Sequence, residues 1–240
     1  MNTMSRRSWI AGVGAGLLSA SAWRTGRAAV ATRDWPLTGF DALVWNAAGE
    51  LVITQRGRER LTVSAPDEAL AKVVAEVHAR TLHIGFAPGP LQIREPIVFR
   101  LDVKTLERIE LDGAGQAGIA ALSARALDLH LQGSVNASLG TLRTERLQVR
   151  LDGSGTLRID GGEVQHQRIV LAGAGEYVAP SLASREAEVS LEGSGALQLA
   201  AAERLHVRID GSGEVSYRGH PRVVQEINGA GRVHRAGDAG

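Results

Sequence analysis

Three arginines and two acids are the residues in this chain whose spacing points to chemistry. Arg146, Arg204 and Arg222 each stand seven residues before a glycine: Gly153, Gly211 and Gly229. His166 and Glu186 hold the same position before Gly173 and Gly193. If the units stack in parallel, these five side chains form one strip, spaced about 4.8 Å apart. A row of guanidiniums suits the carboxylates or sulfates of an acidic glycan. The alternative is a solvated face that discourages pairing with other sheets. The residue just before each glycine forms a second column: Asp112, Gln132, Asp152, Ala172, Glu192, Asp210, Asn228. Acids alternate with neutral residues until Glu192 and Asp210, which become direct neighbours. A hard cation such as Ca²⁺ would offset their repulsion. Against a metal, Asp and Asn favour corners in their own right and water screens an exposed pair. The corner preference is the expected explanation.

What positions these columns is a repeat. The phrases Leu111-Asp112-Gly113-Ala114-Gly115, Leu131-Gln132-Gly133-Ser134-Val135, Leu151-Asp152-Gly153-Ser154-Gly155, Leu171-Ala172-Gly173-Ala174-Gly175, Leu191-Glu192-Gly193-Ser194-Gly195, Ile209-Asp210-Gly211-Ser212-Gly213 and Ile227-Asn228-Gly229-Ala230-Gly231 recur at a period near 20. Before each first glycine, aliphatics alternate with polar residues, as in Val149-Arg150-Leu151. After it, a second alternating run follows, as in Leu157-Arg158-Ile159. Period two means strands with one face inward and one wet. Such short strands bury a core only by stacking coil on coil. The predicted fold is therefore all-β: a right-handed parallel β-helix, or β-solenoid, with coils of about 20 residues. The glycines suit corners that need positive φ or close backbone approach. Val135 replaces the second glycine once, so that corner must accept a side chain.

The front of the chain is less regular. Residues 1–31 read as an export signal of the twin-arginine type: Ser5-Arg6-Arg7-Ser8-Trp9-Ile10, an apolar run to Ala22, and an Ala29-Val30-Ala31 cleavage site. The run is short of the roughly 20 apolar residues a membrane span needs. Residues 32–105 read as an irregular capping region of strands (41–45, 50–54, 60–64, 82–86 and 97–103), with a short helix expected over 67–77. Residues 106–233 are the solenoid repeats, and 234–240 a tail. The last repeat, with Gln225 in an aliphatic column and Arg232, His234 and Arg235 beyond, reads as a polar cap against end-to-end stacking.

Composition excludes several function classes. With no cysteine there is no disulfide, thiolate metal site or cysteine nucleophile. The formal charge is +1, and loss of Arg6, Arg7, Arg24 and Arg27 with the leader makes it about −3. That is not the concentrated basic charge of a nucleic-acid binder. No later segment is apolar enough to span a membrane.

Other motifs carry little. Gly113-Ala114-Gly115-Gln116-Ala117-Gly118 matches a phosphate-binding glycine pattern, but it is one copy of a recurring corner with no helix after it. Ser154 lies between glycines without the spacing of a hydrolase nucleophile, and has siblings at Ser134, Ser194 and Ser212. His130, His166 and His206 fall in different columns and read as scattered surface residues.

The chain resembles the bacterial head GIN domain of putative auto-transporter adhesins. The resemblance rests on Leu82-His83-Ile84, on the entry Glu95-Pro96-Ile97-Val98-Phe99-Arg100-Leu101-Asp102-Val103, and on the serial glycine phrases. It covers roughly residues 37–233. It implies an extracytoplasmic β-helical fold and assigns no catalytic residue.

The function expected is a non-enzymatic, exported module of the cell envelope, periplasmic or extracellular, binding a glycan or an envelope protein without a cofactor. The alternative is a polysaccharide-active lyase or hydrolase. Such an enzyme needs clustered carboxylates, a basic residue and loops that wall a cleft. Coils near 20 residues leave no such loops. The only lysines, Lys72 and Lys104, lie outside the regular repeats. Arginine would then have to act as the base, against its high pKa.

Overall fold

The structure is a computed structural model describing residues 30–90 and 95–236. Most of the expected leader (1–29) and the end of the expected tail (237–240) lie outside the described residues. The chain is nearly all strand and builds a β-solenoid of about six turns, with coils about 20 residues apart.

The period-two pattern dictates the stack. β7 (Arg108–Ser123), β8 (Ala126–Gly153) and β9 (Thr156–Gly173) lie side by side, all parallel. From there the coil divides into two runs. The runs before the glycines continue as β11 (Leu182–Gly193), β13 (Arg204–Gly211) and β15 (Arg222–Gly229). The runs after them continue as β10 (Glu176–Ala179), β12 (Ala196–Ala200), β14 (Glu214–Arg218) and β16 (Arg232–Arg235). Register follows the repeat: Leu151, Leu171, Leu191, Ile209 and Ile227 are consecutive partners, as are Gly153, Gly173, Gly193, Gly211 and Gly229. The inward ladders are buried, and each buried leucine contributes about 1.5–3 kcal/mol of apolar transfer.

The two glycines of each corner do different work. The first takes positive φ; at Gly193 (φ +123°) an added Cβ would also lie 2.4 Å from the Gly173 carbonyl oxygen. The second faces inward: at Gly195 a Cβ would lie 2.6 Å from a Leu171 methyl. Val135 is tolerated there because its register partner is Gly115 and the next coil offers Gly155. The valine side chain is fully buried.

The stack begins earlier than the glycine phrases indicate. β2 (Ala42–Gln55) pairs with β7 in the register of the repeats, with Ala47 opposite Gly113 and Gly49 opposite Gly115. An alanine at the first glycine position hides this coil from a glycine-based alignment. On its other side β2 carries β5 (Thr81–Phe86) and β6 (Val98–Val103), both parallel. Then the direction reverses. β4 (Val73–His78) runs antiparallel to β5, β3 (Arg60–Pro66) antiparallel to β6, and β1 (Val30–Trp35) antiparallel to β3. The expected helix over 67–77 shrinks to α1 (Asp67–Leu70). Val73, Val74 and Val77 are β-branched and favour strand, and Val73, Ala75 and Val77 share the more buried face at period two. No helix among the described residues is long and apolar enough to cross a membrane.

Candidate functional site

The strands before the glycine corners form one face, and their outward residues form straight columns. Arg146, His166, Glu186, Arg204 and Arg222 are successive register partners, so the strip expected from spacing exists. Two residues further along lies a parallel column: Gln148, Arg168, Glu188, His206 and Val224. Between these two rows of longer side chains runs a groove of about 510 Å³, floored by the inward-facing column that includes Leu147, Ala187 and Leu205.

Its electrostatics are mixed in the middle and positive at the ends. Glu186 Oε2 lies 3.2 Å from His166 Nδ1, and Glu186 Oε1 accepts from the Arg204 guanidinium. Arg168 Nη1 lies 3.1 Å from Glu188 Oε2. Arg204 is thus already engaged. The Arg146 and Arg222 side chains have no partner among the described residues. Four coil steps separate them, on the order of 19 Å. Spare cationic donors at both ends of a groove along the stacking axis suit an extended anionic chain.

The second candidate pair, Glu192 and Asp210, are direct register partners. Asp210 Oδ1 accepts from Asn228 Nδ2 at 2.7 Å and Oδ2 from Arg208 Nε at 2.9 Å. These bonds, Asn228 first, hold its carboxyl below the usual range, and the contact with Asp210 raises Arg208 in turn. Protein groups therefore already offset much of the repulsion. Among the described residues no group of three or more His, Asp or Glu is placed to hold a metal ion. Asp152 in the same column shows the pattern in a more sheltered setting. Burial alone would raise it, but bonds from His130 Nε2 (2.8 Å) and Arg150 Nε (2.7 Å) together bring it below its ordinary value.

The histidines are less scattered than their columns imply. His166 and His206 line the same groove, because outward columns two residues apart are neighbours on one face. Gln148, Arg168, Glu188 and Val224 escaped the sequence reading for the same reason: only the most basic column was followed. A further feature lies inside. Gln167 occupies an inward column between Leu147 and Ala187. It donates to Ser184 Oγ (2.8 Å) and the Ala200 carbonyl (3.0 Å), and accepts from the Tyr177 hydroxyl (3.0 Å). The side chains of Gln167, Ser184 and Tyr177 are buried and paired, and burial pushes the Tyr177 hydroxyl well above its ordinary value.

No curated protein matches the chain with significance. Solved structures do. A putative adhesin from Bacteroides fragilis aligns with TM-score 0.82 at 24% identity, covering 87% of this chain and 97% of that one. A putative adhesin from Parabacteroides distasonis aligns with TM-score 0.71 at 19% identity, covering 88% and 98%. A putative lipid binding protein from the same species aligns with TM-score 0.69 at 22% identity, covering 87% and 97%. At these identities the likeness is one of fold. The profile described as "Putative auto-transporter adhesin, head GIN domain" matches residues 39–221, and the chain belongs to that family.

Proposed function

We propose that this chain is a non-enzymatic, exported module of the cell envelope that engages acidic glycans along the groove between Arg146 and Arg222. The observation that carries the reading is the pair of unpartnered guanidiniums at the two ends of the groove. The ion pairs between them keep the middle close to neutral, so charge is read at two separated points. Membership of an adhesin-named family is consistent with this.

The test is a binding assay of the purified chain on an array of acidic and neutral glycans, with and without calcium. Acidic glycans are expected to bind, and Arg146→Ala and Arg222→Ala each to weaken binding several-fold. Arg204→Ala should have less effect, since Glu186 already holds that side chain. Binding is expected to be independent of calcium; a strict requirement would turn attention to Glu192 and Asp210. Shortened or unsaturated products would favour the enzyme reading. No binding to any acidic glycan sinks the proposal. Export is tested separately, by cell fractionation of the wild-type chain against an Arg6→Lys, Arg7→Lys variant held back in the cytoplasm.

A further inference from the structure

Among the described residues the last coil has a neighbour on one side only. β15 pairs with β13 and β16 with β14, and among the described residues nothing pairs with their far edges. The Arg222 N–H donates to the Glu203 carbonyl at 2.8 Å and the Ala230 N–H to the Gly211 carbonyl at 2.9 Å. Backbone groups alternate sides along a strand, so the even-numbered residues of β15 face β13. Val223, Gln225 and Ile227 therefore point their N–H and C=O groups away from the stack. Their side chains belong to inward columns: the partners Leu205, Val207 and Ile209 are buried, whereas Gln225 is exposed and Ile227 is 37% exposed.

We propose that this edge pairs with the same edge of a second copy of the chain, antiparallel, about a two-fold axis through Gln225. That register sets Val223 against Ile227 of the second copy, twice, and Gln225 against Gln225. All are hydrogen-bonded pairs, in which each residue exchanges both an N–H and a C=O with its partner, so no free edge group of the three is left over. The inward faces match as well. Valine closes on isoleucine, and two amides, each donor and acceptor, meet at the axis. The inward apolar and amide pairs are self-complementary about one axis, which favours a second copy over an unrelated strand. The opposite end of the stack already uses this device: antiparallel β3 and β4 cover parallel β6 and β5. A two-fold perpendicular to the sheet also sets the two grooves end to end on one continuous face.

The chain has no cysteine, so single-cysteine variants read the register directly. Opposed hydrogen-bonded residues have Cα atoms about 5.5 Å apart, within disulfide range. Gln225→Cys is expected to give a covalent dimer on mild oxidation, and Asn228→Cys, which faces Arg222, is not. Sedimentation velocity over a concentration series should show wild type moving from monomer to dimer. Gln225→Pro removes an N–H that makes no bond among the described residues, and is expected to hold the protein at monomer mass with an unchanged circular dichroism spectrum. Ile227→Lys is expected to do the same should the proline variant fail to fold. Monomer mass at every wild-type concentration, equal cross-linking at position 228, or dimers that survive both edge substitutions would each overturn the proposal.

Discussion

The two ends of the stack are finished in opposite ways. At the front the chain reverses, and β3 and β4 lie antiparallel over β6 and β5. Leu61 and Val63 of β3 and Phe99 of β6 are as buried as any residue in the middle coils. At the back the inward ladders simply fade. Val207 gives way to Gln225, Tyr217 to Arg235, and Ile227 is 37% exposed where Ile209 is sealed. The residue types barely change in the isoleucine column, but the exposure does. Burial in a solenoid belongs to the neighbouring coil as much as to the residue, so identical side chains differ in value by position along the axis.

That contrast can be broken by substitution. Phe99→Ala in the closed end is expected to cost about 3–5 kcal/mol, and Val233→Ala in the last coil about 1 kcal/mol or less. Comparable losses in urea unfolding would mean that the back end is covered in solution. The two glutamines sharpen the comparison, since both sit in inward columns. Gln167→Leu strands the Tyr177 hydroxyl and is expected to cost about 1–3 kcal/mol, whereas Gln225→Leu should lie within about 0.5 kcal/mol for the dilute monomer. Equal costs would remove the distinction between sealed and open coils. The smallest effect concerns acid. The Asp152 carboxyl is held below its ordinary 3.8 in the folded chain, so its contribution is present above that value and is lost as pH falls through the lower folded value. Asp152→Asn should therefore flatten the acid limb of a melting-temperature profile below about pH 4. Asp210→Asn, at a more exposed position, should flatten it less; the reverse order would show that the open end is the better sheltered.

The glycine period made the coil, its corners and the Arg146–Arg222 column legible from sequence, because parallel stacking turns a sequence offset into a spatial row. The opening coil was not legible: Ala47 hides it, and its partner β7 lies beyond an insertion holding β3 to β6. Nor was the pairing of charges along the strip. Spacing places Glu186 beside Arg204, but only side-chain geometry shows which guanidinium is engaged and which is spare. Gln167 was visible as a polar residue in an aliphatic column. Its partners come from three other coil positions, Tyr177, Ser184 and Ala200, which no single period relates.

The direction of the backbone hydrogen bonds has a mechanical consequence. In a parallel stack they run along the solenoid axis, so tension between the two chain ends loads them one coil at a time rather than all at once. The molecule is expected to peel from its open end in steps. Each coil of about 20 residues releases roughly 65–70 Å of contour at about 3.3–3.6 Å per residue. Pulled from both ends, the chain would behave as a ratchet of small, even extensions. That suits a tether which yields under load instead of snapping, and a regular sawtooth in single-molecule force spectroscopy is the trace to look for.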